Sequence, residues 1–199
     1  MWNFESLIDA FARPLQKEDA ALREEQAVYG LDSWNESRIQ SFLAARLGDC
    51  YKVSREVHYP SSAGKKLSHR MRCDLRIAPI SFHGPPLWLE IKVAYQFAEG
   101  NIRNARYGTQ WMHGVARDTR KIETDPLIES AALLFISFND DPTRASKHLD
   151  LLEVVLGDKD VLLGFRHTRQ FAVQNRIGHE VCTLALWPTI QRNADSITR

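Results

Sequence analysis

Apolar positions along the chain change period several times, and each change marks an element. Phe4, Leu7, Ile8 and Phe11 fall at helical spacing, and Pro14 is expected to end that helix. A second, charged helix is expected from Gln16 to Tyr29, closed by Gly30. Ser33-Trp34-Asn35-Glu36 has the S-x-x-E form of a capping box, in which serine and glutamate satisfy the orphan donors of a helix start. The helix behind it carries Ile39, Phe42, Leu43 and Leu47 on one side and stops near Gly48. From Tyr51 to Tyr59 the period falls to two. Tyr51, Val53, Val57 and Tyr59 share one face, with Arg55 interrupting it, and Lys52, Ser54, Glu56 and His58 share the other. Met71, Cys73, Leu75 and Ile77 then alternate with Arg70, Arg72, Asp74 and Arg76. Leu87, Leu89, Ile91 and Val93 alternate with Trp88, Glu90 and Lys92. The connections between these strands carry Pro60, Gly64, Pro79 and His83-Gly84-Pro85-Pro86.

The second half is patterned differently. A basic helix is expected from about Asn101 to Ile122, although Gly108 and Gly114 weaken it. Residues 131–136 are apolar without alternation, as in a strand covered on both faces. Asp141-Pro142 forms a cap and first turn for a helix running through Leu149, Leu152 and Val155 to Gly157. Strands are expected at 161–166 and 181–187. The order describes an α/β sandwich around a central mixed sheet flanked by helices. Residues 1–32 read as an N-terminal helical extension, 33–188 as the main domain and 189–199 as a polar tail.

Composition narrows the classes of function. With 199 residues and 44% apolar content the chain can bury a core, and no apolar run approaches the roughly 20 residues of a membrane span. No basic segment leads into an apolar block at the N-terminus, and three cysteines without CxxC spacing suggest reduced thiols, so the expectation is a cytoplasmic protein with no membrane partner. The net charge is only +1, but it is unevenly spread. Residues 1–36 carry three basic against eight acidic side chains. Residues 64–76 and 102–121 each carry five basic against one acidic. Two such stretches suggest one positive face for a polyanion, against the plainer reading of solvated charge.

The second and third strands place the chemistry. A short connection makes them antiparallel by default, which brings Asp74 toward Glu90 and Lys92 on one polar face. Two carboxylates and an ammonium suit metal-assisted hydrolysis. Mg²⁺ takes oxygen ligands and needs only one or two carboxylates, and it polarises a phosphoryl oxygen while lowering the pKa of a bound water. Asp74 and Glu90 would hold Mg²⁺ (or Mn²⁺), the Ile91 carbonyl could add a ligand, and Lys92 would face the nucleophile.

Cys73-Asp74, a hairpin and then Glu90-Ile91-Lys92 resemble the bipartite motif of the PD-(D/E)XK nuclease superfamily, with Cys73 in place of the proline that names it. The resemblance covers roughly residues 33–138. It implies a three-layer sandwich with a restriction-endonuclease-like αβββαβ core, and it adds Glu36, on the preceding helix, as an acidic residue near the metal. The expected function is a Mg²⁺-dependent DNA endonuclease, with RNA not excluded. Lys65, Lys66, Arg70, Arg72, Arg103, Arg106, Arg117 and Arg120 are expected to contact the backbone phosphates. Cleavage of both strands calls for two sites, which a homodimer would supply.

Duller readings stand beside these. Glu36 could be only the last residue of the capping box, Asp74 could pair with Arg72 or Arg76, and Glu90 with Lys92 could be a surface pair. Glu56 reads as a solvated strand residue, Asp118 and Lys121 as an intrahelical pair, and Trp88 and Trp111 as packing residues rather than base platforms. The competing function, of another class, is a non-catalytic nuclease-fold module for DNA binding or protein assembly, which the acidic N-terminus favours.

Overall fold

The computed structural model describes residues 1–66, 71–81, 83–98, 102–105, 107–174 and 177–190, apart from the side chains of 109–111. The helices are α1 (Phe4–Glu24), α2 (Glu36–Leu47), α3 (Tyr107–Thr124) and α4 (Pro142–Asp158). The strands are β1 (Tyr51–His58), β2 (Arg72–Pro79), β3 (Leu87–Tyr95), β4 (Phe97–Ala98), β5 (Ile102–Arg103), β6 (Ser130–Asn139), β7 (His167–Ala172) and β8 (Val181–Pro188). Six of them form one mixed sheet in the order β1-β2-β3-β6-β8-β7, and β4 pairs with β5 as a small ribbon. Only β3 and β6 run parallel, joined by the crossover through α3. The other neighbours are antiparallel.

One face of the sheet is covered by α1 and α2 and the other by α3 and α4, giving a helix–sheet–helix sandwich. Leu7, Phe11 and Leu15 of α1 and Ile39 and Leu43 of α2 pack with Leu75, Ile77, Leu89, Ile91, Leu134 and Leu184. On the opposite face Val115 of α3 and Leu149, Leu152 and Leu156 of α4 pack with Leu133, Phe135 and Trp187. Strand β6, buried from Ala131 to Asn139, serves both layers, as its unbroken apolar run predicts. No described helix is long and apolar enough to cross a membrane.

Several expectations are corrected. Pro14 does not end a helix: α1 runs unbroken through it. A proline inside a helix removes one hydrogen bond and clashes with the preceding turn, at about 3 kcal/mol. The fully buried Leu7, Ile8, Phe11 and Leu15 on one stripe outweigh that. The same stripe places residues 1–32 in the sheet's own core, and Arg169 of β7 ties α1 down through Glu5 and Asp9. The basic helix begins at Tyr107 rather than 101, because the chain first forms the β4–β5 ribbon. Residues 161–166 form no strand beyond a bridge from Leu163 to Thr189, and the strand expected there lies at β7. Positions 191–199, most of the expected tail, lie outside the described residues, as do Arg70 and Arg106.

One irregularity matters most. Cys73 and Val57 pack with Tyr59, Trp88 and Ile122 toward α3, whereas Leu75 and Ile77 pack toward α1 and α2. The two-residue alternation therefore slips at Asp74. The β1–β2 pairing passes from Arg55↔Leu75 to Val57↔Cys73 without a Glu56–Asp74 pair, and Glu56 adopts a left-handed φ of 50°, a conformation uncommon outside glycine. Pairing of β2 with β3 stops at Leu75↔Leu89, one rung short of Asp74 and Glu90.

Pro14→Ala restores the missing donor without touching the buried stripe. It is expected to raise unfolding free energy by about 1–3 kcal/mol, read from the urea midpoint.

Candidate active site

Where β2 leaves β3, the edge of β3 has amide groups with no strand to receive them. Side chains take them instead. The Ile91 N–H donates to Asp74 Oδ2 at 2.7 Å, and the Val93 N–H donates to Glu36 Oε2 at 3.1 Å. The N–H and C=O of a strand residue point to the same side, so the Ile91 carbonyl opens toward the same gap as Asp74. Glu90, 2% exposed, lies on the α3 side and accepts a short hydrogen bond from the Tyr59 hydroxyl.

Lys92 lies between two helices. Its Nζ is 3.1 Å from Glu36 Oε1 of α2 and 3.1 Å from Asp118 Oδ2 of α3. Asp118 also takes Lys121 one turn on and Arg117 beside it. The capping box expected at 33–36 does not form. Asn35 is the N-cap, its Oδ1 accepting from Arg38 N at 2.8 Å, while Ser33 donates to the Gly30 carbonyl. With Asn35 doing the capping, the Glu36 carboxylate is released to reach β3. The cap-only reading of Glu36 is thereby overturned.

The electrostatics are those of acids crowded out of water. Burial raises Asp74 above the ordinary carboxylate value, against the Ile91 N–H and the Lys92 charge that lower it; Glu90 also hydrogen-bonds to it. Burial and the neighbouring Asp74 push Glu90 up to about 8, although the Tyr59 hydroxyl opposes the shift. Burial draws the Lys92 ammonium down, but Glu36 and Asp118 outweigh it and hold it above an ordinary lysine. Asp118 is lowered despite burial because Lys121 and Lys92 both pair with it. Tyr59 and Cys73, pushed up chiefly by burial, stay protonated.

Beside Tyr59 a cleft of about 740 Å³ opens against α3, walled by Lys65, His113, Arg117, Arg120, Lys121 and Lys159. Of the expected phosphate-contacting residues, Lys65, Arg117 and Arg120 therefore reach one surface next to the acids. Lys66 is exposed on the same loop and Arg72 is exposed at the start of β2. Arg103 is not with them: it sits on β5, where its charge acts on His148 of α4. The charge count over 102–121 could not separate Arg103 from the α3 residues, because Arg103 belongs to the separate β4–β5 ribbon rather than to the helix. Glu56 is exposed, and Trp88 is buried and stacked on Tyr59 at 6.1 Å, as their plainer readings had it.

Two residues of the site escape the sequence pattern. Tyr59 reads there only as an apolar strand position. Asp118 forms the expected intrahelical pair with Lys121 and also grips Lys92. Its one signal is that it is the sole acid among five basic residues in that stretch. Among the described residues no cluster of three or more His, Cys, Asp or Glu side chains forms a metal cage. Two adjacent carboxyls with a carbonyl beside them do match the hard oxygen set of Mg²⁺, which keeps several waters of its own. No family model, curated protein or solved structure matches this chain.

Glu90 makes a pH test available. Its pKa is about 8 in the fold against an ordinary 4.5. Its stability contribution is therefore complete below about 4.5 and is lost as pH rises through 8, at up to about 1.4 kcal/mol per pH unit. Glu90→Gln removes that slope. In EDTA it is expected to match wild type near pH 4 and to exceed it at pH 7.5 in urea unfolding.

Proposed function

We propose that this protein is a divalent-metal-dependent nuclease that hydrolyses phosphodiester bonds, with DNA as substrate and internal cleavage as its mode. The observation that carries the reading is the hydrogen bond between Asp74 and Glu90 at the first unpaired rung of β2 and β3, with the Lys92 charge acting on Asp74 from two residues on, near a cleft whose lining includes Lys65, Arg117, Arg120, Lys121 and Lys159 as well as Asp125. With the β4–β5 ribbon inserted between β3 and α3, the order α2–β1–β2–β3–α3–β6 is in keeping with the restriction-endonuclease-like core that the motif implies.

Asp74 and Glu90 would hold Mg²⁺ or Mn²⁺, with the Ile91 carbonyl as a third oxygen. The ion's positive charge would also relieve the crowding of two buried acids. When bound, it supplies Lewis-acid polarisation of a phosphoryl oxygen and a water of lowered pKa. The remaining work falls to the chain. Lys92, kept charged by Glu36 and Asp118, cannot serve as a base. It donates hydrogen bonds to a developing phosphoryl charge or orients the attacking water. Glu36 and Asp118 fix its ammonium from two helices, so it does not wander with its four-carbon stem. Tyr59 holds the Glu90 carboxyl in place. Lys65, Arg117 and Lys121 draw the phosphate backbone along the cleft. Cutting both strands would call for two copies of the site, hence a homodimer.

A non-catalytic, DNA-binding module is the second reading, and the double neutralisation of Lys92 favours it. Calorimetry separates the two, since a module shifts DNA in a gel but gives no Mn²⁺ heat.

Plasmid or oligonucleotide cleavage in Mg²⁺ or Mn²⁺ tests the proposal. Asp74→Ala and Lys92→Ala are each expected to lower the rate by about 10²-fold or more, and EDTA to stop it. Cleavage that persists in both variants overturns the site. Arg117→Ala with Arg120→Ala is expected to weaken DNA binding across all sequences and to flatten the salt dependence of log K by about two phosphate contacts.

A further inference from the structure

On the far side of Glu36 from the basic cleft lies a second recess, of about 560 Å³, that the proposed function leaves unused. Its walls mix aromatic rings with polar side chains, among them Asp32, Asn35 and Asn104. Trp34, Tyr95 and Phe97 line it, and the Arg38 guanidinium lies over the Trp34 ring at 4.0 Å. These rings are held in place by the backbone. The Tyr95 hydroxyl donates to the Trp34 carbonyl, and the Phe97 N–H donates to His179 Nε2 at 3.0 Å. The buried His179 is itself fixed by Asp32, 2.9 Å from its Nδ1. Trp34 stands two residues before Glu36, and Tyr95 two residues after Val93, whose amide Glu36 accepts. The recess therefore adjoins Glu36, which in turn holds Lys92 and the Val93 amide of the site.

We propose that this recess takes one nucleobase of the strand being cut, so that the substrate class is single-stranded or locally unpaired nucleic acid. The inference rests on the nuclease reading of the carboxylate site. Trp34 is buried beneath Arg38 and Tyr95 is stacked on Phe138, so the surfaces open to a base are the half-buried Phe97 ring and the exposed Arg38 guanidinium plane, the kinds of surface on which unstacked bases lie in single-strand binders, whatever their sequence. A base can reach such a recess only when it has left its duplex stack, which costs least where no partner strand is present. A backbone that follows the cations to the carboxylates continues past Glu36, and its next base meets Phe97.

The test uses Asp74→Asn as a non-cleaving background, since asparagine keeps an oxygen for the Ile91 N–H. Fluorescence anisotropy with a short oligothymidine in Mg²⁺ is compared with an abasic oligomer of the same length. Phe97→Ala is expected to weaken oligothymidine binding about 10-fold, the scale of one stacked base, and to leave the abasic oligomer unchanged. Wild type is expected to cut a single strand faster than a blunt duplex. Equal losses on both oligomers, no loss on either, or a preference for duplex overturns the recess as a base site while leaving Asp74-dependent cleavage intact. A wild-type protein that cuts no nucleic acid in Mg²⁺ or Mn²⁺ overturns the nuclease reading, and the base site with it.

Discussion

A backbone amide buried without an acceptor costs of order 1–3 kcal/mol, and β3 exposes two of them where β2 turns away. The rest of the site is arranged around that constraint. A neighbouring strand would have satisfied Ile91 and Val93 and left a plain sheet. Instead Asp74 and Glu36 supply the acceptors, one from the diverging strand and one from the first turn of α2. Two acids are thereby held by structural hydrogen bonds at the place where chemistry would use them. Asp74 and the Glu90 carboxyl, hydrogen-bonded to one another, share a burial that no carboxylate favours, while Glu36 stays partly open to solvent and holds Lys92. Stability is given up there and recovered in the two cores on either side of the sheet.

The strands and their order were legible because alternation and unbroken apolar runs report burial directly. β1, β2, β3, β6 and β8 lie close to where the pattern puts them. Failures occurred where a local rule met a tertiary one. Pro14 obeys the helix-breaking rule in isolation, but the buried stripe on both sides of it holds α1 together. Ser33 and Glu36 satisfy the spacing of a capping box, yet Asn35 captures the cap. Spacing alone cannot say which of two adjacent polar residues will sit at a helix start.

At the site the pattern gave Asp74, Glu90 and Lys92 from strand periodicity and Glu36 through the motif's resemblance. Asp118 and Tyr59 were hidden for different reasons. Asp118 has a local partner at helical spacing, which conceals the distant one. Tyr59 follows Glu56, whose left-handed backbone turns the end of the β1 segment toward α3. A reading that counts residues in twos continues straight through such a twist.

The clamp between α1 and β7 bears on how the chain is made. Glu5 and Asp9 bind Arg169, some 160 positions later, and the apolar stripe of α1 packs on strands from the last third of the sequence. During synthesis the first helix emerges with its partners still unmade. It must wait, that part of its apolar face uncovered, until β7 and β8 have left the ribosome. A nascent chain stalled before β7 would carry Leu7, Phe11 and Leu15 incompletely covered, open to chaperones and proteases.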